Sequence, residues 1–105
     1  MRPQDVGSSR ETYHLLDVRE PDEWDAGHIE GAQHIPLAQL ALRIAEVPTD
    51  RVIVTVCRSG HRSGVAAKGL AARGIRAENL DGGVEAWRRA GLPLRNAAGG
   101  PGRVA

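Results

Sequence analysis

The 105-residue sequence has no phenylalanine, and aromatic residues make up only 3% of it. Its core must therefore be built from Val, Leu, Ile and Ala, with Trp24 and Trp87 expected as packing residues rather than a stacking platform. There is one cysteine, Cys57, so no internal disulfide can form, and a reducing cytoplasm is the expected location. The same count leaves Cys57 without a resolving thiol in this chain. Charge of either sign is not in excess: the net charge is +1, which excludes any global argument for a nucleic-acid or membrane partner. No apolar run approaches the ~20 residues needed to span a bilayer. The polar start, Met1 to Arg10, has no hydrophobic signal-peptide segment. The four histidines and one cysteine lack metal-site spacing, so neither a metal nor a cofactor is expected.

What is present alternates between strand and helix patterns. Tyr13 to Val18, Gln33 to Ile35, Arg51 to Val56 and Ala77 to Leu80 read as strands, and Gln4 to Val6 as a short edge strand or turn. Helical patterns are Pro21–Trp24 for one turn, Pro36 to Glu46, about Arg62 to Arg73 with Gly74 as its stop, and a last helix opened by Asp81 as N-cap. Leu37, Leu40, Ala41 and Ile44 recur at i, i+3, i+4 and i+7, one apolar stripe for a sheet. In the following helix Val65, Gly69 and Leu70 are expected to share the sheet-facing side. Gly82-Gly83 reads as a tight turn into the last helix. This order predicts a single α/β domain over residues 1–94. Its sheet is expected to be mainly parallel, with about five strands and helices on both faces. Residues 95–105, rich in Ala and Gly, are expected to be a mobile tail.

The chemistry concentrates where the strand ending at Val56 meets Cys57-Arg58-Ser59-Gly60-His61-Arg62-Ser63. A strand that stops at a cysteine, followed at once by a helix, aims free backbone N–H groups and the positive end of a helix dipole at one sulfur. Arg58 and Arg62 add full charges nearby. Each effect favours thiolate over thiol, which makes Cys57 a candidate nucleophile. The plain alternative is a buried, inert cysteine acting as a small hydrophobe. The position at the C-terminal end of a strand, where open α/β sheets place ligands, favours the reactive reading.

A loop with four residues between Cys57 and Arg62 can curl its amides into an anion-binding nest around the sulfur. Two reactions suit such a nest: attack on phosphorus, and attack on sulfane sulfur to leave a persulfide. A tetrahedral phosphate needs more room than one added sulfur atom, so the six-position loop favours the persulfide, held by the same N–H groups.

The sequence also resembles the rhodanese family, specifically its single-domain bacterial type, from about Leu15 to Pro93. The pieces are Leu16-Asp17-Val18-Arg19-Glu20, Glu23-Trp24, Gly27-His28-Ile29-Glu30-Gly31-Ala32, Ile35-Pro36, the Cys57–Ser63 loop, and Gly82-Gly83 followed by Trp87. The pattern departs from the family at His34, where Asn usually precedes Ile-Pro, and in the short segment before the first strand. In this family a six-residue loop belongs to sulfurtransferases, and the phosphatases of the same fold have one residue more. The resemblance implies that Cys57 attacks the outer sulfur of thiosulfate or a similar anionic donor and releases sulfite. A thiophilic acceptor then takes the sulfur: cyanide in an assay, a thiol or protein cysteine in the cell. It implies that the amides of Arg58, Ser59, Gly60, His61 and Arg62 form the cradle. Arg62 would stand beside the incoming anion, with Arg58 in electrostatic support.

Asp17 and Arg19 look like a site pair and His28 like a candidate general base, but the resemblance favours a structural pair pinning loops near the cysteine and a hydrogen-bonded loop anchor. His61 is expected either to face the site's mouth, where as a cation it attracts anionic donors, or to be a solvated loop residue. A persulfide carrier delivering sulfur to a protein partner is the alternative function. A small-anion phosphatase or arsenate reductase is disfavoured by the loop count, and a non-catalytic module by the presence of Cys57.

Overall fold

The computed structural model describes all 105 residues. Helix α1 (Pro3–Gly7) is followed by strand β1 (Tyr13–Asp17), helix α2 (Pro21–Ala26), strand β2 (Gln33–His34) and strand β3 (Val52–Val56). Helix α3 (His61–Ala72), strand β4 (Ala77–Asn79) and helix α4 (Gly83–Arg89) complete it. The strands form one sheet in the order β2-β1-β3-β4, every neighbour parallel. Leu16 lies between Gln33 and Thr55, and Thr55 in turn pairs with Asn79. No helix is long and apolar enough to cross a membrane.

Both faces of the sheet are covered, which is why β1 and β3 read as nearly continuous apolar runs. On one face Val6, Leu15, Val54, Val56, Leu80, Val84 and Trp87 join α1 and α4 to the sheet. On the other, Leu16, Val18, Ile35, Leu40, Ile53, Ala66 and Leu70 join α3 and the segment after β2. Strand parity decides the position of the cysteine. Val54 and Val56 point toward α4, so Ile53 and Cys57 point toward α3.

The structure corrects four expectations. The sheet has four strands, not about five, because the segment expected as an edge strand or turn near Gln4 is α1. Pro3 stands in its first turn after an extended Arg2, and Val6 alone is too little apolar sequence to show a period. Pro36 to Glu46 is not one helix but two 3-10 turns, Leu37–Gln39 and Ile44–Glu46. Leu40 is still buried and Leu37 and Ile44 still pack, because the non-helical Arg43 between the two turns resets the phase and brings Ile44 back to the sheet, while Ala41 of the expected stripe is exposed. The N-cap of α4 is the left-handed Gly82 rather than Asp81, whose amide donates to Met1 O at 2.8 Å. Helix α3 is also rotated from expectation: Ser63, Ala66 and Leu70 are its buried residues, whereas Val65 is 55% exposed.

The segment read as a tail runs back across α2. Arg95 pairs antiparallel with His28, Ala97 N donates to Asp25 O at 2.9 Å, and Arg103 N donates to Ala26 O at 2.9 Å. Gly27 permits this approach, since a Cβ there would lie 2.3 Å from Arg103 O.

Candidate active site

Cys57 follows the last residue of β3 and is buried. Gly60, at φ +102°, turns the chain sharply enough to start α3 directly above the sulfur. The Gly60 amide donates to Cys57 Sγ at 3.1 Å, and the Ser63 hydroxyl lies 3.2 Å from the same atom. Burial pushes the thiol pKa up. The Ser63 hydroxyl and the amides of Ser63, Gly60 and Ser59 oppose it and win, so the pKa falls below that of an ordinary cysteine. The sulfur is thus both packed against the core and met by converging donors.

Of the five residues expected to cradle the site, Ser59 and Gly60 bring amides to the sulfur. His61 is exposed at the first position of α3. Arg58 is half exposed, and its guanidinium is engaged by Glu85 of α4 at 3.3 Å. Arg62 is held by Glu23 through two parallel hydrogen bonds of 2.7 and 2.8 Å. That pairing draws the Glu23 carboxyl down to about 2, with the Arg62 hydrogen bonds as the largest cause, and raises Arg62.

The route from Asp17 to the loop is continuous. Asp17 and Arg19 are buried, with Arg19 Nη2 on Asp17 Oδ2 at 2.8 Å. The same guanidinium donates to Gly27 O at 2.7 Å and Glu23 O at 3.3 Å, which ties both ends of α2. Helix α2 in turn carries Glu23, which accepts from the Glu20 amide in a capping box and holds Arg62. Asp17 and Arg19 therefore act on the loop at two removes, as supports. His28 is an anchor: its Nδ1 bonds Trp24 O at 2.8 Å and its ring stacks on Trp24 at 3.6 Å. His34, where the sequence departs from the family, stacks on Trp24 at 4.8 Å and donates from Nε2 to Arg19 O.

Two residues of the site were not among the sequence candidates. Ser63 is one, and Asn79 at the end of β4 is the other. Ser63 Oγ lies 2.5 Å from Asn79 Oδ1, and Asn79 Nδ2 donates to Gly60 O at 2.9 Å. Thr55, on the same face of β3 as Cys57, donates to Ser63 O at 2.8 Å. The signal for Ser63 is its place one turn before the small residues Ala66 and Ala67 and two turns before Leu70, at helical spacing. For Asn79 it is a polar residue ending the strand beside the nucleophile's strand.

The double glycine secures the underside. Gly82 and Gly83 are both left-handed, and a Cβ on Gly83 would lie 2.3 Å from Cys57 O. That closeness lets the Val84 amide donate to Cys57 O at 2.9 Å and the Glu85 amide to Arg58 O at 3.1 Å. The carbonyls of Cys57 and Arg58 are thus turned down into α4 while the amides of Ser59 and Gly60 turn up toward the sulfur. Such an arrangement stabilises negative charge on Sγ or on an atom bonded to it.

The chain is similar to several known proteins. YqhL of Bacillus subtilis is 46% identical over 74 residues, covering 70% of this chain and 59% of YqhL. A protein of Allochromatium vinosum named sulfurtransferase is 43% identical over 81 residues, 76% of each chain. The chain thus spans less than two thirds of one of these relatives and about three quarters of the other. The crystal structure of a rhodanese-related protein from Thermoplasma volcanium superposes with a TM-score of 0.86 at 29% identity, over 90% of this chain and 94% of that one. The model of the rhodanese-like domain matches residues 4–90, and the chain accordingly belongs to the rhodanese-like domain family.

Proposed function

We propose that the domain is a sulfurtransferase that carries sulfane sulfur as a persulfide on Cys57, taking it from thiosulfate or a similar anionic donor. The convergence of N–H and O–H donors on one buried sulfur is the observation that carries this reading. It lowers the cost of a thiolate before attack and of a persulfide anion after it. The six-position loop supports sulfur over phosphorus as the atom attacked, and the name of the Allochromatium relative points the same way.

In the forward step Cys57 Sγ⁻ attacks the outer sulfur of thiosulfate. A new S–S bond forms, the bond to the sulfonate sulfur breaks, and sulfite leaves with the electron pair. The acceptor is a thiophile, a thiol or protein cysteine in the cell and cyanide in an assay.

Mass spectrometry after incubation with thiosulfate tests the proposal. One added sulfur atom is expected, lost on adding cyanide and absent in Cys57→Ser. No adduct, together with turnover of a phosphoester, would overturn it. A clean adduct with very slow thiocyanate formation would assign the domain to sulfur carriage instead of small-molecule turnover.

A further inference from the structure

The Ser63 hydroxyl has one proton and two acceptors. Asn79 Oδ1 lies 2.5 Å away and Cys57 Sγ 3.2 Å away, and the hydroxyl can donate to only one of them at a time. The orientation of Asn79 is not free. Gly60 O, a pure acceptor, lies 2.9 Å from its other terminal atom, so that atom is the amide nitrogen and the oxygen faces Ser63. Ser63 is fully buried, so water does not stand in as a third partner.

We infer that Ser63 is a two-position donor controlled by Asn79. Its proton rests on Asn79 Oδ1 while Cys57 Sγ carries no charge, and turns to Sγ when Sγ is a thiolate. In the thiol state the Cys57 S–H donates a hydrogen bond to Ser63 Oγ, and the Ser63 O–H donates one to Asn79 Oδ1, so every group is paired. Loss of the thiol proton leaves Sγ with two donors, the Gly60 amide and the turned hydroxyl.

The consequence for sulfur transfer rests on the function proposed above. Sγ loses its charge when the S–S bond forms, because the charge then sits on the outer sulfur, and the hydroxyl returns to Asn79. When an acceptor thiolate attacks the outer sulfur, the S–S bond breaks toward Cys57. Sγ leaves with the electron pair, and the hydroxyl turns back to receive it. Asn79 is a positioning residue in this scheme: it touches neither sulfur, and it keeps the loaded state from over-stabilising charge at Sγ. The charged groups bordering the loop, Arg62 with Glu23 and Arg58 with Glu85, remain paired throughout.

The test is the pH dependence of Cys57 alkylation by iodoacetamide, which needs no sulfur donor. It therefore stands whether or not a persulfide forms, and the mass measurement above fails or succeeds separately. Ser63→Ala removes a donor to the thiolate and should raise the midpoint by about one pH unit. Ser63→Thr keeps a hydroxyl and should restore it. Asn79→Ala removes the competing acceptor and should lower the midpoint by about half a unit, but only while Ser63 is present. In the Ser63→Ala background the second substitution should change nothing. If Asn79 merely grips the loop through Gly60, its removal would raise the midpoint in both backgrounds, and that result overturns the inference. Should Asn79→Ala fail to fold, Asn79→Ser serves. Its shorter, uncharged side chain gives up Oδ1, so the midpoint should fall with Ser63 present and stay unchanged in Ser63→Ala, and a rise in both backgrounds would overturn the inference.

Discussion

The Glu23–Arg62 pair makes a prediction in which stability and anion handling move in opposite directions. The perturbation is Glu23→Gln. Glutamine keeps the side-chain acceptor for the Glu20 amide, so the capping box of α2 survives and only the charge is removed. In the native protein the Glu23 carboxyl lies at about 2 against its ordinary 4.5. Taken whole, that difference corresponds to about 3 kcal/mol of native stability above pH 4.5. Arg62 is 35% exposed and Glu23 16%, so solvent screening reduces the contribution to about 1–2 kcal/mol.

The folded-state carboxyl is depressed, so its stabilisation is complete above about pH 4.5 and is lost as pH falls toward 2. Urea unfolding at pH 7 should find the variant weaker by that amount. A thermal midpoint lower by very roughly 4–8 °C per kcal/mol is the equivalent readout. Near pH 2 the two proteins should converge, because wild type has by then protonated the same group. Meanwhile Arg62 is left with an uncancelled positive charge beside Cys57, with which it already interacts electrostatically. The KM for thiosulfate should fall. Equal stability at pH 7, or two stability curves running parallel through the acid range, would show that the pair contributes nothing. An unchanged KM would detach Arg62 from the anion's path.

Three further outcomes follow from the same geometry. Gly83→Ala places a Cβ 2.3 Å from Cys57 O at a φ of +60°, and should cost about 2–4 kcal/mol in urea unfolding. Gly69→Ala, with nothing within 4 Å, is the control and should stabilise α3 by up to about 1 kcal/mol. Asp17→Ala strands the fully buried Arg19 charge and should cost about 3–5 kcal/mol by the same assay; a loss below 1 kcal/mol would mean that Arg19 escapes to water.

The parts of this molecule that could be read from sequence are those encoded by neighbours in the chain. The apolar runs at Leu15-Leu16 and Val52–Val56 announced buried parallel strands, and the change of period after Cys57 announced α3. The segment from Pro36 to Glu46 misled because Leu37, Leu40 and Ile44 keep a helical spacing that two short 3-10 turns with a break at Arg43 also bury. Its length, below what an isolated helix sustains, leaves the choice to packing and to contacts such as Gln33 Nε2 on Glu46 O at 2.9 Å. The four-strand count turned on α1, where one buried valine decides the structure and no periodicity exists to be seen.

The site divides along the same line. Cys57, Ser59 and Gly60 lie within four consecutive residues, and a short loop before a helix admits few conformations, so these two amides could be expected at the sulfur, whereas those of Arg58, His61 and Arg62 are not among its donors. The partners that set the chemistry are distant in sequence. Glu23 reaches Arg62 across 39 positions, and Asn79 reaches Ser63 across 16. Neither pairing has a local signature: an Arg near a nucleophile reads as an anion ligand until a carboxylate is found to occupy it. Ser63 was hidden for a different reason. Assigning Val65 to the buried side of α3 on hydrophobicity alone rotates Ser63 away from the sulfur, because residues two apart on a helix do not face the same way. The helix instead buries its small residues and leaves Val65 in solvent, a choice that makes sense only once the hydroxyl at position 63 is counted as a partner of the sulfur. Where a helix sets an aliphatic side chain in water to bury a serine, the serine's hydrogen bonds are what that face of the helix is for.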